Sequence, residues 1–303
     1  MEDIAIHVPT ATRRLPRPAL SARALDLLAW QRWERPLVIG NAVAAFAAAT
    51  ILVVFGGRFG IDVQGFWSGD PFHPYVLPDY GAPGAYFYSP TFALVFAPLH
   101  LLPFPVVVGL VVVLDLLALR FLVGRWAGYA MLLLPVMHEV IGANINLPLT
   151  AAIVAGFRFP VLWTFVLITK VTPGIGLLWF AVRREWRALA SVAVVTLALV
   201  GVSYLVAPDA WARWFALLAD NAARPPSPYA LPIPLWIRLI GAAVLVVWGA
   251  RSNQRWVVPV AAFLGIAVVW QIHWVLLFGV IPLIARTDRW RRWWAAYSGR
   301  PPG

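Results

Sequence analysis

The sequence predicts an all-α, polytopic transmembrane helical bundle. Hydrophobic residues make up 61% of the 303-residue chain, whereas soluble domains are usually about half apolar. Only 12% of the residues are charged, about half of the usual share of roughly 25%. Arginines lie at the ends of long apolar runs, often beside tryptophan, as positive-inside topology and interfacial anchoring require. A helical bundle solvated by lipid accounts for all three observations.

The composition also excludes several classes of function. The net charge of +11 could indicate nucleic-acid binding, but the arginines do not form a single basic face, so we expect no nucleic-acid partner. The chain contains no cysteine, which excludes disulfides and thiolate metal sites. It also has no glycine-rich phosphate loop, no HExxH motif and no Asp-x-Asp pair. We therefore expect no metal, no cofactor and no nucleotide-driven activity.

Two basic tails flank the predicted membrane domain. Residues 1–36 are rich in arginine and have no early apolar run or small-residue cleavage site, so they are interpreted as a cytoplasmic tail rather than a secretory signal. Within it, residues 19–35 fit an amphipathic surface helix or a partly disordered arm equally well. The apolar run 37–55 is the first predicted span, and the transmembrane domain covers residues 37–286. Residues 287–303 are predicted to form a second cytoplasmic tail.

The segment after the first span is predicted to be an outer loop. Residues 57–90 contain several carboxylates but only one arginine, Arg58, in contrast to the arginine-rich tail. Because cytoplasmic segments are enriched in arginine and lysine, we expect the tail inside and the loop outside. Residues 90–102 are apolar but too short to span and are bounded by proline. They are predicted to form a juxtamembrane or re-entrant helix.

The remaining apolar runs are assigned directions from the arginines that flank them. Two are interpreted as hairpins, because one is interrupted by Lys170 and Pro173 and the other is too long for one helix. The predicted order is 105–123 inward, 127–141 outward, 147–157 inward, a hairpin at 160–182, 189–206 outward, an external loop at 207–232, 233–250 inward and a hairpin at 256–285. This gives about ten crossings, some of half length.

Ionisable residues within or beside apolar runs indicate function, because burying a charge in lipid is expensive. They are Asp62, Asp70, Asp115, Glu139, Lys170 and His273, with His138 as a marginal member. Lys170 is the only lysine of the chain, and the nearby Pro173 frees backbone groups of the helix. A cation beside a broken helix predicts an anion site. The alternative is a structural ion pair of Lys170 with Glu139 or Asp115.

Five motifs follow one another along residues 60–275. They are Gly60-Ile-Asp62 with Trp67-Ser-Gly-Asp70-Pro-Phe, Tyr86-Phe-Tyr88-Ser-Pro90 with Ala97-Pro98, Asn144-Ile-Asn146-Leu147, Ile168-Thr-Lys170-Val-Thr-Pro173 with Arg183-Arg-Glu-Trp186, and Val269-Trp270-Gln-Ile-His273. In type, order and spacing they resemble the motifs of glycosyltransferase family 87. That family comprises polyprenyl-phosphomannose-dependent mannosyltransferases with the membrane-embedded C-type glycosyltransferase fold.

The resemblance implies an enzyme rather than a binding module. It would move a hexose, with mannose preferred by family analogy, from a polyprenyl-phosphate sugar to a hydroxyl of a lipid or glycan acceptor at the outer face of the membrane. Its partners would be this donor, the acceptor and the surrounding membrane lipids. The expected location is the bacterial cell membrane, with several passes and both termini in the cytoplasm.

The resemblance also implies roles for two charged residues. Asp62 is the first carboxylate after the first span, where the family has its catalytic aspartate, so it is the candidate general base. The alternative for Asp62 is a helix N-cap or a solvated loop residue. Lys170 is the candidate cation that stabilises the departing phosphate. His273 could bind the phosphate or orient Asp62, or it could be an ordinary buried histidine.

Four further residues are candidates for sugar or substrate binding. Asn144 and Asn146 could bind sugar hydroxyls or cap the returning helix. Asp70, in a Gly-Asp-Pro sequence, suits a turn, with contact to substrate as the second possibility. Tyr88, like Trp67, suits sugar stacking, although interfacial anchoring is the commoner use of such aromatics.

Two other function classes stay open at the level of sequence. A transporter or flippase for a polyprenyl-phosphate-linked lipid would use Lys170 to hold a phosphate but would need no base. An inactive assembly subunit would need neither group. Asp62 discriminates among the three classes, because only the transferase requires its carboxylate.

Overall fold

The computed structural model describes residues 59–67, 69–75, 85–223 and 232–284, and within these ranges it is helical with no β-strand, as predicted. The α-helices are α1 (Ile61–Trp67), α2 (Pro90–Phe96), α3 (Phe104–Val123), α4 (Ala127–Ala130), α5 (Leu134–Gly142), α6 (Asn146–Ala155), α7 (Trp163–Thr169), α8 (Leu178–Val182), α9 (Trp186–Val206), α10 (Pro208–Ala223), α11 (Leu235–Ser252), α12 (Val257–Leu264) and α13 (Val280–Ile284). Segments of 3₁₀ helix lie at Ala97–Leu101, Gly124–Trp126, Pro160–Leu162, Thr172–Leu177 and Gln271–Gly279. The predicted tails and the first span, residues 1–55 and 287–303, lie outside the described residues.

Three helical stretches in the described ranges are long and apolar enough to cross a bilayer. They are Phe104–Ala130, Trp186–Val206 and Leu235–Ser252, and they correspond to the predicted spans 105–123, 189–206 and 233–250. The other apolar helices have at most 17 residues, fewer than the roughly 20 that a full crossing needs. The chain is therefore a helical membrane protein, and the ten crossings stay a prediction.

The outer faces of these three stretches are apolar. Leu117, Leu197 and Val244 are 63%, 68% and 64% exposed, respectively, and each lies in the middle of its helix. Continuous exposure of large apolar side chains marks a surface that contacts lipid or another protein. Here it lies on helices of spanning length, so lipid is the expected solvent.

The structure differs from the sequence-based prediction at two elements. The run 127–141 is not one helix, because the chain turns after α4 and α5 starts anew with Pro135 in its first turn. The segment 207–232 was predicted as a loop, but its first part is the helix α10. Asp209 in the first turn and a buried stripe explain this helix. The stripe is Ala210, Trp211, Trp214 and Leu217.

Both predicted helix breaks are observed. Helix α7 ends at Lys170, whose backbone is extended with φ −137° and ψ 103°, and the chain resumes as a 3₁₀ helix at Thr172. The second break follows α12, and helical structure returns only at Gln271. The two breaks are neighbours, because a Cβ atom on Gly265 would lie 2.9 Å from the Thr172 carbonyl oxygen.

A buried arginine holds the second break in place. The guanidinium of Arg238, on α11, donates to the carbonyl oxygens of Leu264 at 2.9 Å, Ile266 at 2.6 Å and Ala267 at 3.0 Å. These carbonyls lie where α12 ends, so the regular helix leaves them without partners. Arg238 thereby stabilises an irregular segment that leads to the 3₁₀ helix of His273.

The segment that leads into α1 is anchored to the bundle at Gly60. Its φ of +71° suits glycine, and a Cβ atom at this position would lie 2.7 Å from Val108 on α3. The Gly60 amide also donates to the Ile141 carbonyl at 2.9 Å, at the end of α5. These contacts fix the start of α1, and with it the position of Asp62, against α3 and α5.

Candidate functional site

Asp62 lies in the first turn of α1 and packs against the end of α5. The Oδ2 atom of Asp62 lies so close to Gly142 that a Cβ atom on residue 142 would be 2.5 Å from this oxygen. Only glycine therefore allows this approach. The Asn144 side chain forms a hydrogen bond with Asp62. Because the Asn144 Oδ1 atom accepts the Ile145 amide at 2.7 Å, its NH₂ group is the donor to Asp62.

The surroundings of Asp62 act on its pKa in opposite directions. Asp62 lies outside the helices of spanning length, and burial raises the pKa of its carboxyl above the ordinary value, because desolvation disfavours the charged form. The hydrogen bond from Asn144 and the positive charge of Lys170 lower the pKa. Asp62 is therefore close enough to Lys170 for the two charges to interact, although they come from α1 and from the break after α7.

A tight turn between α5 and α6 supplies the two asparagines. Ala143 ends α5 in the left-handed conformation with φ 49° and ψ 53°, where glycine is more usual. The Asn144 amide donates back to the Glu139 carbonyl at 3.0 Å. The turn directs Asn144 toward Asp62 and places Asn146 at the start of α6.

Lys170 lies in a series of polar contacts that are partly buried. Its Nζ atom donates to Asn146 Oδ1 at 2.6 Å and lies 2.9 Å from His273 Nε2. The other end of the Asn146 amide, Nδ2, donates to Glu139 Oε2 at 3.0 Å. The break at Lys170, the turn at Asn146 and the 3₁₀ helix of His273 therefore meet at one place.

His273 is oriented by its own backbone. The Trp270 amide donates to His273 Nδ1 at 2.9 Å, so a neutral imidazole ring carries its proton on Nε2. The Nε2–H group points to the Lys170 ammonium, so two N–H donors converge on the same region.

The cluster combines two chemical capabilities. Asp62 is a carboxylate that can accept a proton, and the Lys170 ammonium with the His273 N–H group can stabilise an anion. Glu139 and Asn146 are completely buried, and His273 is 5% exposed, so these interactions take place away from bulk water. Low local polarity strengthens interactions between charges and hydrogen-bonding groups.

Two of the predicted site residues lie outside this network. Asp70 forms an exposed turn, where it accepts the Phe72 amide at 2.9 Å and pairs with His73 at 2.8 Å. The hydrogen bond from His73 lowers the pKa of Asp70. Tyr88 belongs to an aromatic cluster beside the site, with its ring centroid 4.8 Å from that of Phe92 and 5.6 Å from that of Tyr86.

The structure gives Glu139 a larger part than the sequence indicated. The sequence offered Glu139 and Asp115 as possible ion-pair partners of Lys170, whereas the polar contacts of Lys170 are to Asn146 and His273. Asp115 is fully buried on α3, and neither of its carboxyl oxygens has a partner among the described residues. The signal available for Glu139 was a glutamate in an apolar run. Its hydrogen bond with Asn146 was not predictable, because it depends on the conformation of the turn between α5 and α6. Gly142 was predicted only as the start of a turn at 142–146, and its close contact with Asp62 was not predicted, because a glycine gives no signal of the side chain that packs on it.

Comparison with known proteins identifies the family. The sequence profile of glycosyltransferase family 87 matches residues 86–298. The chain is 28% identical over 222 residues to a polyprenol-phosphate-mannose-dependent alpha-(1-2)-phosphatidylinositol pentamannoside mannosyltransferase of Mycolicibacterium smegmatis, covering 62% of this chain and 53% of the relative. It is 30% identical over 258 residues to the protein of the same name from Mycobacterium tuberculosis, covering 73% of this chain and 57% of the relative.

The chain spans little more than half the length of these curated relatives. No solved structure matches it significantly. The family profile, however, covers most of the chain, from the aromatic segment before α2 to beyond α13. The chain belongs to glycosyltransferase family 87.

Proposed function

We propose that this protein is a membrane glycosyltransferase that moves mannose from a polyprenyl-phosphate donor to a hydroxyl of a lipid or glycan acceptor at the outer face of the membrane. The observation that supports it most directly is the convergence of the Lys170 ammonium and the His273 N–H group, 2.9 Å apart, within the cluster that contains Asp62. Both relatives are named as polyprenol-phosphate-mannose-dependent mannosyltransferases of a lipid-linked mannoside, which supports the sugar and the class of acceptor.

The two converging donors are the proposed phosphate site. Two N–H groups that face each other repel unless an acceptor beside them receives both protons, and a phosphate oxygen is the strongest acceptor that a lipid-linked sugar offers. Asn146 accepts one of the three protons of the Lys170 ammonium, which leaves two for the phosphate. The isoprenoid tail of the donor would remain in the lipid beside the bundle.

Asp62 is the proposed general base. The acceptor hydroxyl attacks the anomeric carbon of the sugar, and its proton passes to the Asp62 carboxylate. The bond between the anomeric carbon and the phosphate oxygen breaks, and its electron pair stays on polyprenyl phosphate, where Lys170 and His273 stabilise the added charge. A single displacement of this kind inverts the configuration at the anomeric carbon. Asn144 holds Asp62 in position, and Tyr88, in the aromatic cluster beside the site, is the candidate for stacking on a sugar.

The direct test is a reconstitution experiment. Purified protein is incubated with polyprenyl-phosphate mannose and bacterial lipid extract, and the products are identified by mass spectrometry. A lipid or glycan that gains one hexose, together with released polyprenyl phosphate, supports the proposal. A lipid-linked donor that is moved across vesicles without product would favour the transporter, and neither event would favour the assembly subunit.

The proposed topology predicts opposite accessibility for α10 and for the C-terminal end of α11. Ala216, on α10, belongs to the segment predicted to be external, and Ser252, at the end of α11, lies at the predicted cytoplasmic end; both are exposed. Because the chain has no cysteine, Ala216→Cys should react with an impermeant maleimide in intact cells. Ser252→Cys should react only after permeabilisation, and the reverse pattern would invert the topology.

The contact between Asn144 and Asp62 predicts that substitution of Asn144 shifts the pH dependence of transfer. Its hydrogen bond lowers the pKa of Asp62, so Asn144→Ala should raise that pKa further. The base works only when deprotonated, and kcat/KM therefore falls as the pH drops through the pKa of Asp62. The acid limb of the kcat/KM profile should move to higher pH in the variant, whereas the rate at high pH should approach that of the wild type. An unshifted acid limb would separate Asn144 from the base.

A further inference from the structure

Glu139 is a buried carboxylate that the proposed transfer reaction does not use. It lies near the end of α5 and is completely buried. Its Oε1 atom accepts the Leu147 backbone amide at 2.9 Å, and its Oε2 atom accepts the Asn146 side-chain amide at 3.0 Å. The first of these bonds caps the free N–H groups at the start of α6. The second acts on a residue that contacts Lys170.

The second bond fixes which way the Asn146 amide faces. A primary amide has a donor end and an acceptor end, and a carboxylate can bind only the donor end. With Nδ2 held by Glu139, Oδ1 turns to Lys170, where it accepts the ammonium at 2.6 Å. Glu139 thereby determines that Lys170 meets an oxygen rather than an NH₂ group at this position.

We propose that Glu139 is a positioning residue that aims Lys170 at the donor phosphate through the amide of Asn146. The identification of the ligand as a phosphate rests on the proposed function, whereas the contact between Asn146 and Lys170 does not. Lys170 reaches the cluster from a non-helical break, so its own backbone does not fix the direction of its side chain. The hydrogen bonds from Asn146 to Glu139 at 3.0 Å and from Lys170 to Asn146 at 2.6 Å form a continuous series that supplies that direction.

An exchange of the two partner groups tests this role. Glu139→Gln keeps the shape and an oxygen for the Leu147 amide, but its new NH₂ group faces the NH₂ group of Asn146. The Asn146 amide must then flip, and it presents a donor to the Lys170 ammonium. In the double variant Glu139→Gln/Asn146→Asp, the new glutamine donates to one oxygen of the new aspartate, and the other oxygen accepts from Lys170. The double variant has the net charge of the wild type.

The position of Lys170 can be observed without any activity assay. Because it is the only lysine, protein labelled with ¹³C at the lysine ε carbon gives a single lysine NMR signal from the chain. In Glu139→Gln this signal should shift, and the Kd for polyprenyl phosphate should rise about tenfold or more, as expected for a hydrogen bond to a charged group. In the double variant the signal and the Kd should return to near the wild-type values, a coupling that independent sites do not show.

Each outcome decides for or against the role of Glu139. An unchanged signal and Kd in Glu139→Gln would overturn it, and so would a double variant that folds but resembles the single variant, since Glu139 would then only cap α6. If the single variant does not accumulate in cells, the double variant alone decides. A Lys170 signal at the wild-type position in the double variant supports the proposal, and failure of the double variant to accumulate overturns it. If the wild-type protein itself transfers no mannose, the proposed function is contradicted instead. The two failures can be told apart, because the NMR comparison needs no turnover.

Discussion

Asp62→Asn is expected to lower mannosyl transfer by about 10²–10⁴-fold, the contribution of a positioned general base. The substitution keeps the shape of the side chain and removes its ability to accept a proton. The amide oxygen of the new asparagine can still accept the hydrogen bond that Asn144 donates to Asp62. Affinity for the donor should survive, because Lys170 and His273, rather than Asp62, are proposed to bind the phosphate. The measurement is paired, with donor affinity and product formation determined on the same preparation.

Asp70→Asn is the matched control, at a carboxylate just beyond the end of α1. Asp70 is an exposed turn residue whose partners are Phe72 and His73, so its substitution should leave transfer close to the wild-type rate. A large loss in this control would bring Asp70 back as an acceptor-binding residue. Wild-type turnover in Asp62→Asn would end the role of Asp62 as base.

The same pair of variants separates the three function classes. A lipid transporter needs a phosphate site but no base, so Asp62→Asn would still move a polyprenyl-phosphate-linked lipid between leaflets. An assembly subunit would have no transfer to lose. Only the transferase predicts intact donor binding together with a large loss of product.

Much of the fold was predictable because membrane-spanning helices can be recognised by their length and apolar composition. The three stretches of spanning length coincide with predicted spans, and the breaks were predicted from Lys170 and Pro173 and from the length of the run 256–285. Helix α10 was missed because its segment is less apolar than a span and was judged by its turn-forming residues. Its start signals, Pro208 and Asp209, were present in the sequence.

The site was predictable where a residue is costly in its surroundings or belongs to one of the five motifs. Lys170 and His273 are polar groups in apolar runs, Asn146 was predicted from its motif, and the structure brings the three together. The part played by Glu139 depends on a left-handed turn at Ala143, which no glycine or asparagine at that position indicated. Local sequence patterns do not contain contacts of that kind.

Long-range support was not predictable at all. Arg238 resembles an ordinary charged residue near the end of a span, yet it is 5% exposed and binds carbonyl oxygens 26 to 29 residues away. Its partners lie at an irregular break that hydropathy places only approximately. Irregular backbone at membrane depth needs partners from elsewhere in the protein, and the sequence does not say which residue provides them.

Lys170→Met is expected to abolish detectable transfer or to reduce it by about 10²–10³-fold, the cost of losing one preorganised donor to a developing negative charge. Methionine fills a similar volume but offers no proton to a phosphate, and charge-assisted hydrogen bonds are the stronger kind. Donor affinity should fall in the same variant, which distinguishes it from Asp62→Asn. The protein should still insert, since an apolar side chain is not costly in this environment.

Lys170→Arg provides the matched control for Lys170→Met, because it keeps the positive charge and changes its shape. Arginine presents a planar fork rather than a compact ammonium, so it should retain part of the donor affinity while it disturbs the contact with Asn146. Donor binding and turnover are measured on all three proteins in the same lipid. If Lys170→Met matches the wild type in both, Lys170 is a structural residue and the phosphate must be bound elsewhere. If only the arginine variant retains donor binding, the positive charge at this break is what holds the phosphate, and His273 alone does not suffice.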